Sequence, residues 1–296
     1  MTEAVNRVQS VPKVSIGLPV YNGENYLEEA LDSILAQTFT DFELIISDNA
    51  STDRTEEICR AYVARDDRVQ YLRNATNRGA AWNYNRLVDV AQGEYFKWAA
   101  HDDLIAPEFL ARCVEVLDRD PSAVGSYPLQ RTIDKDGKVL REHESADYGA
   151  AEPHKRFFQC VCRPFPNSGV FGLIRTKTLR RTIRIGSFSA ADRVLMGELV
   201  LLGRFEEIPE YMFFKRDHPD AHWRANRDRR DRERWYDPSW SGKTPRRTFR
   251  LFREHVASIW RVPLEWRERA WCHIYMLYWI RRKWRKLAKD LRPRRG

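Results

Sequence analysis

Four short polar segments hold most of the side chains in this chain that could do chemistry. Pro19-Val-Tyr-Asn-Gly23 offers backbone groups and the ring of Tyr21. Ser47–Asp53 holds Asp48, Asn49 and Asp53, Asn74–Gly79 holds Asn77, Arg78 and Gly79, and Ala100–Asp103 ends in two adjacent carboxylates, Asp102 and Asp103. Neighbouring carboxylates are costly unless a cation neutralises them. Magnesium and manganese prefer oxygen ligands and share their shell with substrate phosphates. Asp102 and Asp103 therefore read as a seat for a divalent cation, Mg2+ or Mn2+, that carries a diphosphate. No G-x-G-x-x-G follows the first apolar run and no G-x-x-x-x-G-K-[ST] occurs, which disfavours a dinucleotide cofactor and a P-loop. Each group also has a plainer reading. Asp48 and Asp53 can cap the helix that follows, and Asp102 and Asp103 can cap a helix near Pro107 or face solvent.

The elements between these segments must position them. Val14–Val20, Phe42–Ile46, Val69–Leu72 and Glu94–Ala99 read as strands. Leu27, Ala30, Leu31, Ile34 and Leu35 recur at helical spacing, Asp53 with Glu56 predicts a helix start, and Gly79–Ala91 and Pro107–Leu117 read as further helices. Such alternation predicts an α/β fold with a mainly parallel sheet flanked by helices, Rossmann-like in character. Ligands of such sheets bind beyond the carboxyl ends of the strands, where all four polar segments fall. Asp134-Lys-Asp-Gly137 predicts a hairpin turn, and Leu195, Leu199 and Leu202 share one helical face.

At 296 residues and 43% hydrophobic, the chain is long enough for a sizeable core, and a mean hydropathy of −0.63 does not suit a membrane bundle. Five scattered cysteines do not make a disulfide framework and read as reduced thiols. MTEAVNRVQSVPK lacks the pattern of a signal peptide, and the longest near-apolar stretch, Trp271–Ile280, is too short to span a bilayer. The expectation is a cytoplasmic protein.

The order and spacing of these segments resemble the family 2 glycosyltransferases. VSIGLPVYNGENYLEEALDSILAQTFTDFELIISDNASTD is similar to the family's opening, and Asn77-Arg-Gly79, Ala91-Gln-Gly-Glu-Tyr95 and His101-Asp-Asp103 follow in register over roughly residues 12–220. The resemblance implies a GT-A fold and inverting transfer from a nucleotide sugar with a divalent cation. It implies that Pro19, Tyr21 and Glu24 line the nucleotide pocket, that Asp48 reads the base, and that Asn77 and Arg78 approach the nucleotide. Asp102 and Asp103 match the end of the metal motif, in which Ala100 stands where many members carry the first Asp. Phe165–Gly172 resembles an acceptor-side segment. Asp192 matches the catalytic base, with Ala191 in place of the Glu that often precedes it; its plainer reading is a carboxylate at a helix start. Tyr211–Pro219 resembles a segment ending in R-x-H-P, in which Arg216 could reach the diphosphate and His218 the diphosphate or the metal; the alternative is a surface turn.

Charge is unevenly placed. Residues 215–296 hold 25 of the 51 basic residues, 10 of the 42 acidic ones and eight of the ten tryptophans. The chain thus divides into a catalytic unit, 1–220, and a basic, aromatic-rich helical extension, 221–296, with helices over Leu251–Arg261 and Leu264–Leu287. Basic residues among Trp and Tyr suit an anionic membrane interface, here the inner face of the plasma membrane, where a lipid-linked acceptor would be met. The plainer reading is a helical pair packed on the catalytic unit. No nucleic-acid motif is present. The expected activity is transfer of a sugar to a hydroxyl of a saccharide or lipid-linked acceptor, in cell-surface polysaccharide or glycolipid synthesis. Two rivals are a nucleotidyltransferase, whose Gly-rich triphosphate loop is missing from PVYNG, and a non-catalytic protein that binds membrane or nucleic acid through its tail.

Overall fold

The computed structural model describes residues 11–145, 147–163, 168–219, 221, 228–242 and 246–291. The first ten residues, residues 165–167 of the Phe165–Gly172 segment and residues 224–227 of the charge run lie outside them.

The first half alternates as its periodicity predicts. β1 (Val14–Val20), α1 (Leu27–Leu35), β2 (Phe42–Asp48), α2 (Thr55–Arg65), β3 (Val69–Arg73), α3 (Ala80–Val90) and β4 (Tyr95–Trp98) follow in turn. β3, β2, β1 and β4 lie side by side and all pair in parallel. Both faces of this sheet are covered, so alternate residues of one strand enter different cores. In β2, Phe42, Leu44 and Ile46 pack with α1 and α2, whereas Ile45 packs with α3.

Beyond β4 the sheet becomes mixed. β5 (Leu104–Ile105), α4 (Phe109–Arg119), β6 (Ala123–Ile133), β7 (Val139–Glu142), β8 (Leu173–Arg175) and β9 (Arg204–Arg216) extend it in the order β4-β8-β6-β9-β5. β8 is antiparallel to both β4 and β6, β9 is parallel to β6, and β7 folds back on β6 as the expected hairpin. α5 (Pro153–Phe157) continues as a π-helical turn, Phe158–Cys162, and α6 (Thr176–Leu179) and α7 (Ala191–Leu202) cover the α3 side. The expected Asp53–Glu56 capping box does not form. Asp53 accepts instead from Thr55 N, while Glu56 pairs with Arg60 and Arg73.

The basic extension folds as α8 (Arg229–Tyr236), α9 (Arg247–Arg261) and α10 (Trp266–Leu291). α9 and α10 share a third core with Phe157, Cys162 and Leu201. Glu198 of α7, only 1% exposed, is gripped by Arg261 of α9 through two contacts of 3.2 Å. Asp290 near the end of α10 accepts from Thr248 N and Phe249 N and so caps the start of α9. Of the extension's tryptophans, Trp279 is buried, whereas Trp266, Trp271 and Trp284 of α10 are exposed along with Ile274, Leu277 and Tyr278. Among the described residues no helix is long and apolar enough to cross a membrane. All five cysteines are free.

Candidate active site

The carboxyl ends of β1, β2 and β4 open on a cavity of about 630 Å³. Its rim is laced together by side chains that bond to backbone. Asn22 N donates to Ser51 Oγ and Gly23 N to Thr55 Oγ1, both at 2.9 Å. Glu24 N donates to Asp53 Oδ2, and Arg54 N donates back to Glu24 Oε2. Glu24 therefore clasps the first two loops to each other and is not part of the cavity wall, whereas Pro19 and Tyr21 are.

Asp48 lies behind that wall. It is fully buried, its Oδ1 accepting from Ser51 N and its Oδ2 from Tyr71 Oη and Arg73. The next residue, Asn49, faces the cavity. Its amide donates to Asn77 Oδ1 at 2.8 Å and its oxygen accepts from Asn74 and from Arg78 N. Asn77 lines the cavity, while the Arg78 guanidinium sits 4.2 Å over the ring of Trp82 and is not part of the wall.

The carboxylates at the end of β4 meet the end of β9. β5 pairs antiparallel with β9, so the residues just before β5 run beside Lys215 and Arg216. Arg216 N donates to Asp103 Oδ1 at 2.9 Å, and the Arg216 side chain donates to Asp102 O, Lys135 O and Glu29 Oε2. The Arg216 guanidinium is thus a buried clamp on the loop, and it also lines the cavity. His218 Nε2 lies 3.1 Å from Asp102 Oδ2, and His218 Nδ1 is buried without a hydrogen-bond partner among the described residues. Burial raises the Asp102 carboxyl, but the His218 hydrogen bond and the nearby His101 outweigh it and hold it below the usual range. Burial and then the charge of Asp102 push Asp103 up to about 7. Lys97, buried behind it, donates to the carbonyls of Phe171 and Trp98, and burial holds its pKa down at about 8.

Asp192 stands in the first turn of α7, beyond Ala190 in the left-handed region at φ 68°, and lines the same cavity as Asp102 and Asp103. Tyr84 between them registers all three carboxylates: burial first, then Asp102, Tyr236, Asp103 and Asp192, drive its phenol upward, so it stays a neutral donor.

Several lining groups were not anticipated from sequence. His101, Tyr84 and Trp98 line the cavity. Arg234, Trp235 and Tyr236 of α8 and Pro238 just beyond it also line the cavity. Gly79 makes their approach possible. Its φ is +84°, and a Cβ there would lie 2.5 Å from Tyr236 O and 2.6 Å from Pro238 Cδ. Glu233 accepts from Ser189 N and so ties α8 to the loop before α7.

No group of three or more His, Cys, Asp or Glu is poised to hold a metal among the described residues. The carboxylates of Asp102 and Asp103 beside His218 fit instead a cation held by one or two carboxylates and completed by phosphate oxygens.

The model of "Glycosyl transferase family 2" matches residues 15–189, more than half of the chain. A protein of Rickettsia typhi described as an uncharacterized glycosyltransferase is 40% identical over 109 residues, 36% of this chain and 33% of that protein. The chain spans 21% and 19% of two further Rickettsia relatives, well short of their length. Among solved structures, Staphylococcus aureus TarS 1–349 in complex with UDP-GlcNAc superposes with a TM-score of 0.68 at 18% identity, covering 94% of this chain and 79% of that one. The mannosyltransferase PcManGT of Pyrobaculum calidifontis, in complex with GDP-Man and Mn2+, gives a TM-score of 0.53 at 18% identity over 96% of this chain and 86% of that one. At such identity these two establish the fold, which is that of the GT-A glycosyltransferases. With its strand-end loops, HDD segment and matched span, the chain belongs to glycosyl transferase family 2.

Proposed function

We propose that the protein transfers a sugar, with inversion, from a nucleoside diphosphate donor to a hydroxyl of a saccharide or lipid-linked acceptor in cell-surface glycan synthesis. The observation that carries this reading is that Asp192 lines the same cavity as Asp102 and Asp103. Support also comes from the UDP-GlcNAc and GDP-Man complexes of the two similar structures. The acceptor oxygen attacks the anomeric carbon as the bond to the diphosphate breaks, and Asp192 takes the hydroxyl proton. Asp102, bonded to His218, and Asp103 would offer carboxylates to a divalent cation whose shell the diphosphate oxygens complete, and which would supply charge stabilisation for the departing diphosphate. At β2's end Asp48 and Asn49 are both buried, and Asn49, which lines the cavity, holds the Asn77 loop in place through Asn77 and Arg78 N. Pro19, Tyr21 and Asn77 shape that part of the pocket.

The extension carries the second element of the proposal. Trp266, Trp271, Ile274, Leu277, Tyr278 and Trp284 of α10 are exposed beside Arg267, Arg281 and Arg285. Amphipathic aromatics next to arginine suit the headgroup region of an anionic membrane. The protein would then lie peripherally at the inner face of the plasma membrane, where lipid-linked acceptors are found.

Thermal shift with UDP, GDP and dTDP, with and without Mn2+, tests the donor reading. A Mn2+-dependent rise with one of them supports it, and no rise with any overturns it. Flotation with anionic and neutral vesicles tests the membrane reading, which equal lack of binding to both would reject.

A further inference from the structure

A second cavity, of about 510 Å³, meets the first at a wall made of Phe171, Asp192, Lys215 and Arg216. We propose that this second cavity is the acceptor subsite and that it is built for an acceptor bearing an anionic group, a phosphate or a carboxylate. The inference rests on the reading of Asp192 as the base and names the acceptor class it would serve.

The far side of this cavity is the β6–β7 hairpin, which contributes Thr132, Arg141 and His143. Arg141 and Lys215 are exposed at its mouth, and neither makes an ion pair with a described carboxylate. The Arg216 charge, by contrast, is already met by Glu29 at 2.6 Å. Thr132 of β6 pairs with Arg141 on one side and Lys215 on the other, and His143 Nε2 lies 2.8 Å from Thr132 Oγ1. Burial, then Arg141, then Lys215 hold its imidazole below its ordinary pKa, so both positive charges converge on this spot. Lys215 also feels the buried Asp103, so Arg141, with no carboxylate partner among the described residues, is the freer of the two charges, and together they attract an anion to the mouth of a concave site and steer it inward. Asp192 and Asp217, the acidic residues of the wall, set the opposite condition. The anion is kept to the hairpin side while a hydroxyl, which can donate, is admitted at the Asp192 seam. Phe171 and Phe213, stacked with centroids 5.6 Å apart, give the carbon skeleton an apolar floor there.

The test fills the donor cavity first. Protein saturated with whichever of UDP, GDP or dTDP raises its melting temperature is titrated calorimetrically with glycerol 1-phosphate, glucuronic acid and methyl glucoside. Either anion, or both, should bind, and the neutral glycoside should bind more weakly. A preference for the phosphate indicates a phosphodiester or lipid-linked source, and a preference for glucuronic acid an acidic saccharide. Arg141→Ala should weaken anion binding about tenfold, the worth of one charge-assisted contact. His143→Gln, which keeps a polar partner for Thr132 and leaves Arg141 and Lys215 in place, should retain most of the binding. Melting temperature and the nucleoside diphosphate shift, read on both variants, certify that they are folded. Equal binding of charged and neutral ligands, or anion binding undiminished in folded Arg141→Ala, overturns the proposal. Loss of the nucleoside diphosphate shift in the wild type would instead overturn the donor reading.

Discussion

His218 Nε2 stands 3.1 Å from Asp102 Oδ2, which joins the end of β9 to the end of β4 across more than a hundred residues of sequence. The contact places an imidazole and a carboxylate at one edge of the cavity, and Asp103, bonded to Arg216 N, completes the edge. A short antiparallel pairing, Leu104 with Phe214 and Ile105 with Phe213, fixes that register.

Asp192→Asn should lower the transfer rate by about 10²–10⁴-fold, the usual worth of a positioned general base. Nucleoside diphosphate binding should be unchanged, because Asp192 belongs to the side of the cavity shared with the second one. Steady-state rates alongside the thermal shift check both halves. A variant with wild-type turnover would remove Asp192 from the mechanism.

Cation binding should strengthen as pH rises through about 7. Asp103 is pushed up to about 7 by burial and by Asp102, and it must lose its proton before it can act as a ligand. Below that pH, Mn2+ affinity in the presence of UDP or GDP should fall about tenfold per unit. The effect on folding has the opposite sense in the metal-free protein. The protonated carboxyl adds stability at low pH that is lost as pH rises through about 7, and Asp103→Asn should abolish this loss. Mn2+ titrations and urea midpoints at pH 6 and 8 read the two effects separately.

Arg261→Ala should cost about 2 kcal/mol, because it leaves Glu198 charged and buried in α7, a cost discounted here for Arg261's partial exposure. Glu198→Gln in the same chain should restore most of it. Urea unfolding of the two single variants and the double variant gives the coupling. Additive losses would mean that the pair does not hold α9 to α7.

Acid should loosen the docking of the extension before it unfolds the sheet. His255 of α9 is buried beside Phe157, and burial followed by Arg193 holds its pKa down at about 3. The unfolded imidazole takes a proton near 6.5, so stability from this site is complete above 6.5 and declines by about 1.4 kcal/mol per pH unit as pH falls toward 3. Midpoints at pH 7.5 and 5 should differ accordingly, and His255→Phe should flatten the difference.

The sequence carried the first half of the fold because β1 to β4 follow one another with short helical connections and their apolar residues announce both faces. The mixed half was less legible. β8 and β9 reach their places through partners far away in the chain, and no local period reports that. Asp48 and Asn49 show the limit at the site. They are adjacent, both polar, and past the same apolar run, yet Asp48 keeps the parity of Leu44 and Ile46 and turns inward, whereas Asn49 is the residue that reaches the opening. Asp102 and Asp103 stood out as adjacent carboxylates at a strand end, whereas Asp192 was singled out by the family resemblance, since a carboxylate at a helix start is by itself an ordinary cap; all three line one cavity. Tyr236 and Pro238 were not, since an aromatic inside a charge run carries no sign of where α8 will dock.

The meeting of Gly79 with Tyr236 and Pro238 has a practical corollary for anyone building chimaeras. The family-matched span, residues 15–189, ends before α8 and therefore lacks the pieces that roof the cleft above the Asn77 loop. Grafting that span alone would leave the Asn77 side of the cleft without the wall that Arg234, Tyr236 and Pro238 supply here.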